Sequence, residues 1–179
     1  MKLTYLGVGF TLLLLVACSG KEAVQTKESM IEELQLFEDS LKNNQLDTVK
    51  NITVKYAEKC LTIYRRFPKS EEAPAYLDKA HIIYSGAGLH SLAVLYADTL
   101  IRKYPAYKNR PMVLQSLANA YDLFLVPRKK ELVEKYYSLL LKENPKLPAE
   151  ERESIQYRLD HINLTFEQLI EEQAKNVSN

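Results

Sequence analysis

The placement of proline constrains this chain more than any other feature. All seven prolines of the 179 residues fall between stretches in which apolar residues recur every three to four positions. They are Pro68 and Pro74, Pro105 and Pro111, Pro127, then Pro145 and Pro148. That recurrence is the helical period, and no long stretch alternates with period two. Proline is tolerated in the first turn of a helix and just past its end, and it breaks interiors. The sequence therefore predicts an all-α chain of seven helices, near 28–43, 47–67, 73–86, 89–104, 110–124, 128–143 and 149–174. Glycine agrees: five residues are about 3% of the chain against a usual ~7%. Gly-rich phosphate loops and turn-dense β-sandwiches are poor fits to so little glycine.

The punctuation repeats. Arg65-Arg66-Phe67-Pro68 returns as Arg102-Lys103-Tyr104-Pro105, 37 positions on, and Pro74, Leu77 and Tyr84 return as Pro111, Leu114 and Tyr121. At an offset of 40, Tyr96, Leu100, Arg102 and Pro105 return as Tyr136, Leu140, Lys142 and Pro145. The three extra residues fit into the turn between Tyr121 and Arg128. A period of 34–40 residues built from two helices marks a helical array. In Ala75 to Pro105, Leu77, Ala80, Tyr84, Gly88, Ala93, Ala97, Leu100 and Pro105 fall at the spacing of the tetratricopeptide repeat, and the chain resembles that family over roughly 45–145. One departure stands out: His81 occupies a position where the family prefers glycine or another small residue. The resemblance implies a short right-handed α-solenoid of tetratricopeptide-like helix pairs. Ala93 and Ala97 would let paired helices approach closely, and Gly88 would serve the tight turn. The last segment aligns Ile155, Leu159, Ile162, Phe166 and Leu169 on one stripe, which suits a C-terminal capping helix or a surface docked on another protein.

The N-terminus carries a different message. Lys2 precedes an uncharged run containing Leu12-Leu13-Leu14-Leu15-Val16, too short to span a bilayer, which needs roughly 20 apolar residues. A basic start, an apolar stretch and a small residue form an export signal. Leu15-Val16-Ala17-Cys18 resembles the bacterial lipobox, in which the cysteine thiol takes a diacylglycerol thioether and becomes the first mature residue. The alternatives are an ordinary signal peptide beside an unrelated cysteine, or an apolar helix of the fold. By resemblance to lipoprotein sorting, Ser19 rather than aspartate after the cysteine leans toward the outer membrane, and no acidic run follows as a surface-export address. The predicted organisation is a leader at 1–17, a lipid-anchored tether at 18–27, a helical-repeat domain at 28–175 and a disordered tail at 176–179. A tether of about nine residues reaches roughly 30 Å at most, keeping the domain near the membrane. Cys60, the other cysteine, sits at helical spacing among Tyr56 and Ile63 and is expected in the core.

Chemistry is sparse. His81, His90 and His161 form no metal-ligand spacing, although His81 and His90 flank the Gly86–Gly88 turn and could meet across it. No nucleophile elbow, P-loop or nucleotide fingerprint is present. Acidic pairs such as Glu150-Glu151 sit at expected helix starts or on exposed faces. No catalytic residue, metal or cofactor is expected. Arg128-Lys129-Lys130 opens a helix at its unfavourable end for positive charge; it is a solvated turn or a contact for anionic headgroups or an acidic partner. Removing residues 1–17 takes away one lysine and no acid, leaving 23 charges of each sign. A neutral chain is a poor match for nucleic acid.

In the tetratricopeptide family the first helix of each pair lines a concave groove. By position the resemblance places Asp78 and Ile82 there from one repeat, and Gln115, Asn119 and Asp122 from the next, unless these side chains simply face water. The expectation is a non-enzymatic, outer-membrane-anchored periplasmic lipoprotein that grips another envelope protein or peptide segment. In plan it is similar to the helical-repeat lipoprotein of the β-barrel assembly machinery, but shorter. The alternative is an accessory lipoprotein that binds a small ligand or peptidoglycan fragment.

Overall fold

The computed structural model describes residues 25–43 and 49–177. The leader, Cys18 and most of the tether lie outside the described residues, as does the end of the tail. Among the described residues the chain is all-helical and has no strand. The order is α1 (Lys27–Asn43), α2 (Val49–Arg66), α3 (Ala73–Gly86), α4 (His90–Lys103), α5 (Arg110–Asn119), a π-helical turn (Ala120–Phe124), α6 (Lys130–Glu143), α7 (Ala149–Asp160) and α8 (Phe166–Val177).

Local chemistry explains the ends. Pro74 and Pro111 stand in the first turns of α3 and α5, where a missing N–H costs nothing. Gly88, at φ 76°, closes α3. The Leu89 N–H donates to the Tyr84 carbonyl at 2.8 Å and the Gly88 N–H to the Ser85 carbonyl at 3.0 Å. That paired arrangement needs a left-handed residue, which glycine adopts without steric cost.

Each helix from α1 to α6 packs on the next helix in the sequence, with α3 held between α2 and α4. Leu77, Ala80, Leu100, Val113, Leu114, Leu117, Ala118 and Val133 are fully buried in the shared core, joined by Ala93 and Ala97 from α4. Tyrosines repeat with the helices. Tyr84 stacks on Tyr96 at 5.7 Å between ring centroids, and the positions 37 and 40 residues on, Tyr121 and Tyr136, stack at 5.9 Å. The Tyr136 hydroxyl donates to Asp98 at 2.9 Å, so the ring is buried while its polar tip is satisfied.

Cys60 lies wholly inside this core, and burial pushes its thiol up to about 11. At pH 8 about one molecule in a thousand would carry the thiolate, the reactive form. A thiol titration of the folded protein at pH 8 should therefore find Cys60 silent, and denaturant should release it. Denatured protein from membranes should show one thiol per chain if Cys18 is lipidated, and both of the two cysteines if it is not.

The C-terminal segment departs from expectation. The single helix predicted over 149–174 is two, α7 and α8, separated at 161–165. Thr165 and Gln168 cap one another: the Thr165 N–H donates to the Gln168 side chain at 2.8 Å, and the Gln168 N–H donates to Thr165 Oγ1 at 3.3 Å. This reciprocal box starts a new helix. The break splits the stripe, leaving Ile155 and Leu169 buried and Phe166 exposed. The helix predicted over 110–124 likewise ends in the wider π turn, closed by the Leu125 N–H on the Ala120 carbonyl at 3.0 Å.

Candidate functional site

Two adjoining hollows lie along α3, α5 and α7. The first, of about 230 Å³, opens between α3 and α5 and is lined by Asp78, His81, Ile82, Asn109, Met112 and Ser116 among others. The second, of about 500 Å³, is bounded by Gln115, Asn119 and Asp122 on one side and by Ile155, Arg158 and Phe166 on the other. Gln115 and Ser116 are neighbours on α5, so one helix supplies a wall to each.

The five groove residues read from the sequence are thus divided: Asp78 and Ile82 line the first hollow, and Gln115, Asn119 and Asp122 line the second. Their availability differs. Ile82 is 56% exposed and Gln115 is half-buried. Asn119 accepts from the Tyr137 hydroxyl at 2.5 Å. The two aspartates are buried, and donors of the chain itself bond to their carboxylates.

Asp78 accepts from the Tyr107 hydroxyl at 2.8 Å, from Asn109 Nδ2 at 3.0 Å and from His81 Nδ1 at 3.2 Å. Burial raises its pKa, but the donors from His81, Asn109 and Tyr107 outweigh that and hold the carboxyl below its ordinary value. The stability this ionised form contributes is present above the unfolded carboxylate range and is lost as pH falls through the lower folded value. An ionised carboxylate can only accept, so Nδ1 of His81 carries its proton. The other ring nitrogen, Nε2, faces Ser116 Oγ at 3.0 Å.

Asp122 takes two guanidinium groups. Arg158 donates to it through Nε at 2.6 Å and Nη2 at 2.7 Å, and Arg128 donates through Nε at 2.7 Å. Arg158 also caps the carbonyls of His161 and Leu164 at 2.8 and 2.9 Å, and Arg128 reaches the Ile162 carbonyl at 2.9 Å. The corner between α7 and α8 is therefore held by buried charge. The basic run at 128–130 is divided, with Lys129 exposed and Arg128 and Lys130 half-buried. Arg128 is bound internally, Lys130 donates to Asn163 Oδ1 at 3.0 Å, and Lys129 lies 6.0 Å over the Tyr121 ring.

The histidines do not meet. His81 turns to Asp78 and Ser116, His90 stacks on Phe124 at 4.4 Å, and His161 bonds the Tyr157 carbonyl at 2.8 Å. Among the described residues no group of three or more acidic, histidine or cysteine side chains is placed to hold a metal ion. No helix among them is long and apolar enough to cross a membrane. Sequence reasoning missed Ser116, Tyr107, Asn109 and Arg158. Only the departure at His81 pointed toward the first of them. The chain matches no protein-family model, no curated protein sequence and no solved structure.

Proposed function

We propose that the protein is a lipid-anchored interaction module of the bacterial outer membrane. Its helices form a short right-handed α-solenoid of tetratricopeptide-like pairs, with α7 and α8 as the polar-faced cap. Cys18 carries the lipid, and the α3–α5 face grips an extended segment of another envelope protein. The observation that carries this reading is the pair of adjoining hollows on one face, with side chains at a 37-residue offset (Asp78 and Gln115, Ile82 and Asn119) lining successive hollows. Packing of each helix from α1 to α6 on the next and the recurring tyrosine stacks support the repeat. The mixture of apolar Ile82 and Met112 with amide side chains suits a chain with both backbone and side-chain groups to satisfy.

Crosslinked capture from intact envelopes tests both halves. Cys18→Ala should move the protein from the membrane to the soluble fraction; a membrane-bound variant would overturn the anchor. Ile82→Arg with Gln115→Arg adds charge at exposed or half-buried positions and leaves Asp78 and Asp122 intact. Loss of one crosslinked protein at unchanged folding is the expected result, and unchanged capture would overturn the groove. A second reading, binding of a small ligand or peptidoglycan fragment, is favoured by the larger hollow. Its volume, about 500 Å³, falls in the range of small-molecule sites. Saturable binding of muropeptides by the purified protein, with no protein captured, would select it.

A further inference from the structure

We propose that Ser116 is a nucleophile, activated by His81 and oriented through Asp78, that accepts acyl groups from activated esters in the hollow between α3 and α5. This goes beyond the interaction reading and needs neither the lipid anchor nor a protein partner. Three facts carry it. Ser116 Oγ lies 3.0 Å from His81 Nε2, while His81 Nδ1 lies 3.2 Å from Asp78 Oδ1. Asp78 is itself fixed by Tyr107 and Asn109. The hydroxyl sits on the wall of a cavity of about 230 Å³ that is open to solvent and flanked by the exposed side chains of Ile82 and Met112.

The proton positions follow from charge. The Asp78 carboxylate accepts the Nδ1 proton, and in the neutral ring that leaves the Nε2 lone pair facing the Ser116 hydroxyl. That is the arrangement in which a histidine removes a serine proton and a carboxylate keeps the ring in the right tautomer. Asp78 and His81 are both buried and Ser116 is half-buried, which leaves Ser116 as the member of the relay that substrate would meet.

The step balances without any added reagent. Ser116 Oγ forms a bond to the ester carbonyl carbon as its proton passes to His81 Nε2. The bond from that carbon to the leaving oxygen breaks, and the leaving group departs with the electron pair and takes the proton from His81. Water, deprotonated in turn by His81, then attacks the acyl-serine and releases a carboxylic acid with Ser116 restored. Ser116 lies inside α5, whose amides are engaged along the helix. Stabilisation of the oxyanion by a pair of backbone N–H groups is therefore not built into the helix. That limits the substrate class to esters of acidic alcohols or phenols, whose leaving groups need little help, with a short acyl chain against Ile82 and Met112. The expected acceleration is that of general base catalysis alone, about 10²–10⁴-fold.

The test incubates the purified full-length chain, in detergent, with p-nitrophenyl acetate. The expected result is p-nitrophenol released above background and, in acid-quenched samples that trap the acyl-serine, up to one acetyl group per chain, mapped to Ser116. Ser116→Ala removes one hydroxyl, should keep the fold by circular dichroism, and should abolish the label. His81→Gln should slow acetylation about 10²-fold or more. Asp78→Asn, whose amide can donate to Nδ1, should reverse the ring tautomer and displace the pH profile of labelling. Acetylation confined to lysines or tyrosines, no label at Ser116 in folded protein, or equal labelling in His81→Gln would each overturn the proposal.

Discussion

Asp122→Ala lowers the stability of the folded protein by about 3–5 kcal/mol, the usual cost of breaking a buried ion pair from one side. The carboxylate is 2% exposed and lies between two guanidinium groups, of which Arg158 is 8% exposed and Arg128 19%. Deleting it leaves both cations without a counter-ion, one of them with almost no access to water. For a chain of this size each kcal/mol is worth about 2–4 °C, so the melting point falls by roughly 10 °C. Two controls make the cause specific. Arg102→Ala removes a pair with Asp98 whose arginine is 64% exposed, and it should cost less than about 1 kcal/mol. Asp122→Leu combined with Arg158→Met removes the carboxylate and the more buried of its two cations, and should cost less than the sum of the single changes. Thermal melts and urea titrations followed by circular dichroism measure all of these. An Asp122→Ala melt within two degrees of the unaltered protein would show that the buried cluster contributes little.

Leu77→Ala and Leu114→Ala should each cost about 2–5 kcal/mol, read in the same melts. Both side chains are 0% exposed, and they hold equivalent positions 37 residues apart, on α3 and α5. Truncation removes three carbons of burial and leaves a cavity that a close-packed interior fills only in part. Leu36→Ala is the matched control, because that leucine is 70% exposed on α1 and should cost little. A small effect at either buried position would mean that the helix pair around it is looser than its burial indicates.

Much of the fold was legible before any coordinates. The boundaries of α3 came from Pro74 and Gly88, and the recurrence of Tyr84 and Tyr96 at Tyr121 and Tyr136 was visible, though not that each pair stacks. These signals are local, or repeat locally, so they survive without knowledge of what packs where. The break at 161–165 was not read from the sequence, although Thr165-x-x-Gln168 carries a local capping signal for it. The apolar stripe continues across it at helical spacing and reads as one helix. Nothing local marked the π turn at 120–124.

The candidate site was far less legible. Position in the repeat put Asp78 and Ile82 together on α3 and Gln115 and Asn119 together on α5, and each pair lines one of the two hollows. Yet Asp78 lies beside His81 and Tyr107, and Asp122 beside Arg158, whose partner is 36 residues away. A helical period says which face a carboxylate occupies. It says nothing about whether a guanidinium from a distant helix will meet it there.

What the sequence by itself determined is the helical class, the places where helices stop and the spacing at which similar faces recur. Proline, glycine and apolar period act within a few residues, so their effects can be read in order along the chain. What only the tertiary structure decided is which polar groups are buried together: Asp78 with His81 and Ser116, and Asp122 with Arg128 and Arg158. Burial makes an unpaired polar group costly, and so these contacts are set by which helices pack side by side.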